Sequence, residues 1–536
     1  MIIGNDLILN KEEGNAMSEP ILAQYTIRSK QDYIFRTNRL LEIVGASAII
    51  ASTFDLLFAC AEQCGLRTSR EKGEFHMAET LQAFENGALD MSELFIGGGN
   101  DTVLFKDRET CRKVNERFSY RLLKEYPGLL PMYVGVPIKE KEGAYQYRED
   151  YARLMAAADI EKNRMAPNRG RYALPFARTD RSTFQPLAIK TSREGEERWL
   201  SDEAYAKFRF GMADEKNADD SRYLDRLTTE HGEESLLAIV HADGNNMGVK
   251  IQKKLGGNTD YDTCVTVMRR FTKDIDAAFS KHGREALEKR REELKRAYPQ
   301  LKERSFAVRW IVSDGDDATF ICNARLAREL TEAYLRGVAE YRSADDPQER
   351  YSSCAGICIF HSHYPFARAY DLAEQACDNA KRPVHDSAVA ADGSAQKPLE
   401  QAWLDFHYIH SGVGGDLDEI RSLHQTKNCM ARPWLVCGDQ GGGADKEIRK
   451  LDELARVLRE GKVSRSNIKT LGAIYEADTA QGELEWDRIC YHAKTIYGIA
   501  DLDRRVKPLF SGRQDMMRAM YDLSEILDLW YRKGMA

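Results

Sequence analysis

Twice in this chain a β-like run folds back on itself around a short glycine-bearing turn, LFIGGGNDTVLF at 94–105 and WIVSDGDDATFICN at 310–323. Two apolar halves about such a turn are the pattern of a β-hairpin, and the same succession of elements surrounds both. Ahead of the first stand the strand-like run ILAQYTIRS (21–29) and apolar residues at helical spacing from Gln31 to Cys64; behind it come a helix over about 108–125, the strand LPMYVGVPI (130–138) and a helix over about 144–164. Ahead of the second stand SLLAIV (235–240) and helices filling about 246–300; behind it come a helix over 324–342, the strand YSSCAGICIF (351–360) and a helix over 365–381. This order is β-α-β-β-α-β with an added helix, the ferredoxin-like plan, written out twice. The fold class expected is therefore α+β, with two tandem ferredoxin-like domains built on antiparallel sheets.

Aligning the turns sets Asp101 against Asp317 and Asn100 against Asp316. The closing helices then match as well, LMAAADIEKNR (154–164) beside LAEQACDNAKR (372–382). The expected domains are 21–165, a connecting region at 166–234 with one short helix near 202–210, a second copy at 235–385, and a helical domain at 386–536 whose glycine-rich loops (SGVGGD, GDQGGGAD) separate four or five helices. A chain of 536 residues is long enough for several such cores.

Charge limits the partners. Lys+Arg 78 against Asp+Glu 85 gives a formal net charge of -7, so no global positive field gathers nucleic acid or anionic lipid, and any such contact is a local patch. The N-terminus has an acidic break where a signal peptide needs an apolar core, which points to the cytoplasm and away from the membrane. Eleven cysteines without a CxxC pair signal neither a disulfide framework nor a zinc ribbon, and reduced, mostly buried thiols are expected.

The sharpest constellation lies in the second copy. Asp243 ends an apolar strand, Gly244 leaves the backbone open beside it, and Asp316 and Asp317 sit on a hairpin 74 residues after Asp243. Asp314-Gly315 is turn chemistry in its own right, but a turn does not require two further acids. In a ferredoxin-like sheet these strands are central neighbours, so three carboxylates converge at one edge, and oxygen ligands select a hard cation such as Mg²⁺ or Mn²⁺. Two such ions suit in-line attack on a phosphate. Around the acids, Gly244, Asn245, Gly248, Ser313 and Gly315 are candidate nucleotide-binding positions. Lys381, near the end of the last helix, could reach phosphate as a point charge. Counting 74 back from Asp101 reaches Ile27, where no acid stands, so the first copy reads as a catalytically silent twin. Its loop glycines, Gly98 and Gly99 among them, could still approach a nucleotide closely.

At these motifs the sequence resembles the polymerase-like large subunit of type III CRISPR effector complexes, called Cas ten, or the Cmr large subunit in one subtype. KQDYIFRTNRLLEIVGASAII (30–50) looks like the family's first palm segment, and ADGNNMG with SDGDD looks like its second palm, whose DGDxMG strand end and GGDD hairpin bind the metals. The resemblance implies two palm domains that join ATP through 3′–5′ linkages into cyclic oligoadenylates for antiviral defence. It implies Asp243, Asp316 and Asp317 as metal ligands, and Lys381 corresponds in position to the phosphate-touching lysine of diguanylate cyclases, which share the palm. Asn245 stands where the family has its second Asp, Asp314 replaces the first Gly of GGDD, and the paired-cysteine zinc insertion is missing. The 20 residues before the first strand leave no room for the nuclease domain of many members. The function expected is an NTP-consuming nucleotidyltransferase making a cyclic oligonucleotide or dinucleotide. The alternative is a catalytically quiet scaffold binding CRISPR effector subunits and guide or target RNA. A self-associating diguanylate-cyclase-like homodimer is a third reading, disfavoured because one chain already holds two palms.

Overall fold

The computed structural model describes residues 19–141, 143–165, 176–181, 183–193, 196–215, 236–299, 301, 303–387, 399–410, 414–423, 429–438 and 446–531. The stretch read for a signal peptide, parts of the connecting region and parts of both glycine-rich loops lie outside these residues. Two compact units emerge, Met1–Arg222 with Met247–Asp276, and Tyr223–Asn246 with Ala277–Ala536.

In the first unit, β1 (Ile21–Arg28) leads through α1 (Lys30–Phe35), α2 (Leu40–Gln63), the short β2 (Thr68–Ser69) and α3 (Met77–Glu85) to the hairpin β3 (Met91–Gly97) and β4 (Asn100–Phe105). Then come α4 (Arg108–Glu125) and β5 (Leu130–Pro137). Two small hairpins, β6 (Glu140–Lys141) with β7 (Ala144–Tyr145) and β8 (Ile189–Arg193) with β9 (Glu196–Leu200), flank α5 (Tyr147–Arg164), and α6 (Asp202–Glu215) follows. Later in the chain α7 (Met247–Leu255) and α8 (Tyr261–Ile275) also belong to this unit. Its core gathers Leu22, Leu104, Val134 and Leu154 with Tyr261 and Val265 of α8, and the Tyr261 hydroxyl donates to Asp150 at 2.8 Å. The apolar length of α2 answers to α6. A Cβ on Gly45 would lie 1.7 Å from the Lys207 carbonyl oxygen, and one on Gly211 would lie 2.1 Å from that of Leu41. Only glycines let the two helix backbones meet so closely, so the segment sequence reading assigned to a connection supplies a helix of the first core.

In the second unit β10 (Leu236–Gly244) precedes α9 (Arg284–Ala297), the hairpin β11 (Arg309–Asp314) and β12 (Asp317–Asn323), α10 (Ala327–Glu340), β13 (Ser353–His361) and α11 (Phe366–Asp386). Beyond them lie β14 (Gln401–Tyr408), α12 (Leu417–Leu423), β15 (Trp434–Gly438), α13 (Arg449–Glu460), α14 (Arg465–Ala477), α15 (Thr479–Tyr497), α16 (Leu502–Val506) and α17 (Arg513–Trp530). The sheets are ordered β2-β3-β4-β1-β5 and β11-β12-β10-β13-β14-β15. Both contain the same four strands in the same order, hairpin, first strand, last strand, as the duplication requires. Each sheet is mixed rather than wholly antiparallel, because β2 runs parallel to β3 and β14 parallel to β13. The stretch after 385 is correspondingly not all helix: β14 and β15, with α12 between them, extend the second sheet ahead of the run of helices from α13 to α17.

The hairpin registers correct the alignment of the copies by one residue. Gly97 pairs with Asn100 in the first turn and Asp314 with Asp317 in the second. Asn100, not Asp101, thus occupies the place of Asp317. Asp101 is then equivalent to Ala318, and a shift of one residue turns a strand side chain to the opposite face. Asp101 is fully buried there with neither carboxylate oxygen hydrogen-bonded. Burial, helped by the charge of Glu93, raises its pKa well above the carboxylate range, so it sits as a neutral acid in the core.

Candidate metal and nucleotide site of the second sheet

The strand β10, LLAIVHADG, is buried almost throughout, with sheet neighbours on both sides, so its polar residues face inward wherever they fall. Side chains alternate along a strand, which places His241 and Asp243 on one face. His241 pairs in register with Thr319 of β12, and its Nδ1 lies 3.1 Å from the Thr319 hydroxyl. Asp317, two residues before Thr319, shares that face. His241, Asp243 and Asp317 each bring one ligand atom within 4.8 Å of the others.

The turn carrying Asp316 follows from its glycine. Gly315 has φ 64°, the left-handed conformation a two-residue hairpin loop needs at its first position. Asp316 therefore stands at the tip, beside rather than inside the three-ligand cluster. Burial first, then Asp243, raises its pKa to about 6. The same causes, with Asp316 added, raise Asp317 to about 8. Burial holds His241 down to about 4, Lys381 adding to the effect, so the imidazole is neutral near pH 7 and free to ligate.

Lys381, projecting from α11, has Asp243 as an ion-pair partner and donates to the Gly244 carbonyl at 3.1 Å. Burial opposes its charge and Asp243 outweighs burial, so its pKa is raised. The placement depends on Gly356 of β13, where a Cβ would come 2.0 Å from the Ala373 carbonyl oxygen and 2.4 Å from the Cys377 nitrogen; α11 lies directly on the strand. Tyr334 of α10 is buried with an unpartnered hydroxyl and feels Asp316, Asp317 and Asp243.

The other sequence candidates have surroundings of their own. The Asn245 amide is turned into the sheet, donating at 2.9 Å to the Ser352 hydroxyl and at 2.9 Å to the Gln401 carbonyl. That is a structural use open to an amide and closed to the carboxylate of the family motif. Ser313 is exposed at the end of β11. Gly248 lies in the first turn of α7, in the first unit, and Gly98 and Gly99 form the left-handed tip of the first hairpin, φ 57° and 67°; the Gly99 carbonyl accepts from Lys30 at 3.1 Å. Sequence reading missed His241, whose signal was its position two residues before Asp243 on one strand. Two carboxylates and a neutral imidazole fit a divalent cation of the Mg²⁺–Mn²⁺ class, the nitrogen favouring Mn²⁺. The raised carboxyl pKa values come first from burial and then from like-charge repulsion, and a dication would relieve the repulsion.

Residues 236–389 match the family model of the second palm domain of Cas10/Cmr2. Among solved structures the chain is similar to Csm1 of T. onnurineus, at 13% identity and TM-score 0.48, over 95% of this chain and 69% of that one. It is also similar to a Csm1–Csm4 cassette in complex with one ATP, at 12% and 0.46 over 94% and 70%, and to one in complex with cA4, at 12% and 0.44 over 95% and 70%. No curated protein matches the chain in sequence. The family match places a second palm domain of the Cas10/Cmr2 type over β10 through α11.

Proposed function

We propose that the second palm is the active site of a metal-dependent nucleotidyltransferase that joins nucleoside triphosphates, ATP first among them, into a cyclic oligonucleotide. The observation that carries this reading is the convergence of His241, Asp243 and Asp317 at one strand end, with Asp316 at the adjoining tip. A bound Mg²⁺ or Mn²⁺ would supply charge neutralisation for the triphosphate and activation of the attacking hydroxyl. The two aspartates and His241 would hold it. In each linkage a ribose hydroxyl forms a bond to an α-phosphorus, the bond to the β-phosphate bridge breaks, pyrophosphate leaves, and the hydroxyl proton passes to water. Lys381 has three donors. Asp243 and the Gly244 carbonyl take two, leaving one N–H for a phosphate oxygen.

A second reading, the quiet scaffold for effector subunits and RNA, draws on the same lysine, since an ammonium seated on Asp243 can stand in for the cation. One experiment separates them. Purified protein is incubated with each of the four NTPs and Mg²⁺ or Mn²⁺, and the products are resolved by mass. Cyclic product lost in Asp316→Ala/Asp317→Ala supports the enzyme. Equal product from the variant overturns it, and product only with target RNA and partner subunits places the activity inside an effector complex.

A further inference from the structure

Away from the acidic cluster, the second unit holds a cleft of about 340 Å³ where the end of β14 meets α12, α14 and α17. That volume is within the range of small-molecule sites. Much of its wall is flat ring: Tyr364, Tyr408, His410 and Tyr521, with the Tyr408 and His410 ring centroids 4.1 Å apart. Aliphatic wall is added by Leu372, Ile409 and Ile420. Such surfaces accept the face of a heteroaromatic ring.

Two polar groups in the cleft lack hydrogen-bond partners among the described residues, the imidazole of His407 and the hydroxyl of Tyr521. His407 is neutral near pH 7, burial and then Arg421 and Arg432 holding its pKa down to about 3. It thus offers one donor and one acceptor nitrogen, and the phenol can act as either. A half-buried imidazole beside a buried phenol is best satisfied by a ligand edge that alternates donor and acceptor, as a nucleobase edge does. The charges lining the cleft balance. Arg421 is bound to Asp405 at 2.8 and 2.9 Å and Lys469 lies 3.3 Å from Asp528, while Glu476 and Glu525 supply the negative side. No surplus of positive charge is left for a triphosphate.

We propose that this cleft binds a purine nucleoside, its ring against the tyrosines and His410 and its edge read by His407 and Tyr521. The site is separate from the palm chemistry and stands or falls without it. Adenosine titrated calorimetrically into the full chain in the presence of EDTA should bind saturably with one-to-one stoichiometry. Ala473 is exposed on α14 at the cleft wall, so Ala473→Trp should close the mouth and abolish binding without entering the core, its melting temperature staying with that of the parent. Tyr521→Phe should weaken adenosine roughly tenfold, the loss of one hydrogen bond at the edge. Absence of saturable binding overturns the proposal, as does binding that survives Ala473→Trp. Cytidine or indole binding as tightly as adenosine also overturns it, since either would reduce the cleft to an unselective apolar hole.

Discussion

Asp316 and Asp317 bear charges that the metal-free fold resists, and the resistance has a sign. In the unfolded chain both titrate near 4; in the fold they hold their protons to about 6 and about 8. The folded state therefore binds more protons across that interval, and its stability falls as pH rises from about 4 through about 8. In EDTA the melting temperature should be several degrees higher at pH 5.5 than at pH 8.5, and Asp316→Asn/Asp317→Asn should flatten the slope. Divalent binding displaces the same protons, so its stabilising effect should grow over the same range, read as Mn²⁺-induced thermal shift. Lys381 competes with the cation for Asp243. Lys381→Met should therefore tighten Mn²⁺ several-fold by calorimetry while lowering product formation, a split that simple misfolding would not give. At this scale the acids were legible in the sequence because charge at the end of an apolar strand has few structural uses. His241 was not, since an imidazole inside LLAIVHADG reads as one more buried residue. The one-residue slip at Asp101 arose because both turns contain glycine, yet only the register shows that Gly98-Gly99 and Gly315-Asp316 are the two loops.

Among the elements, α11 matters most because it delivers Lys381, and its seat is the bare backbone at Gly356. Backbone atoms at 2.0 and 2.4 Å cannot swing aside, so Gly356→Ala should cost about 1–3 kcal/mol by overpacking and lower Mn²⁺-dependent turnover as Lys381 is displaced. Urea unfolding beside product assays checks both. The strand β14 was hidden from sequence reading by the glycine-rich segments around it and by Asp405 at its centre. That carboxylate is fully buried, and although burial opposes its charge, Arg421 and then Arg432 outweigh burial and hold its pKa below the usual range. Asn379 of α11 donates to it at 2.6 Å. Arg421→Leu leaves a buried charge without its main partner and should cost about 3–5 kcal/mol, whereas Arg421→Leu/Asp405→Leu should recover much of the loss. The central strands and the two hairpins, by contrast, were readable because apolar runs punctuated by glycine turns admit few other folds.

For the whole molecule, duplication was visible in the order of elements, but the assignment of helices to cores was not. The chain after β10 contributes α7 and α8 to the first unit and then returns to the second, because Tyr261 and Val265 find their apolar partners on the first sheet. Periodicity says that a helix has an apolar face and leaves open which sheet covers it. With two cores in one chain, unfolding need not be all-or-none, and the cluster of His241, Asp243 and Asp317 belongs to the second unit alone. Scanning calorimetry should then show two transitions. Mn²⁺ at about a hundredfold over its dissociation constant adds about 2.7 kcal/mol to the unit that binds it, and for a unit of this size that is about 4–5 °C. Only one transition should move by that amount, and Asp317→Asn should hold it in place while leaving the other untouched. A single transition, or an equal shift of both, would mean that the units melt as one body and that the division of cores has no thermodynamic consequence.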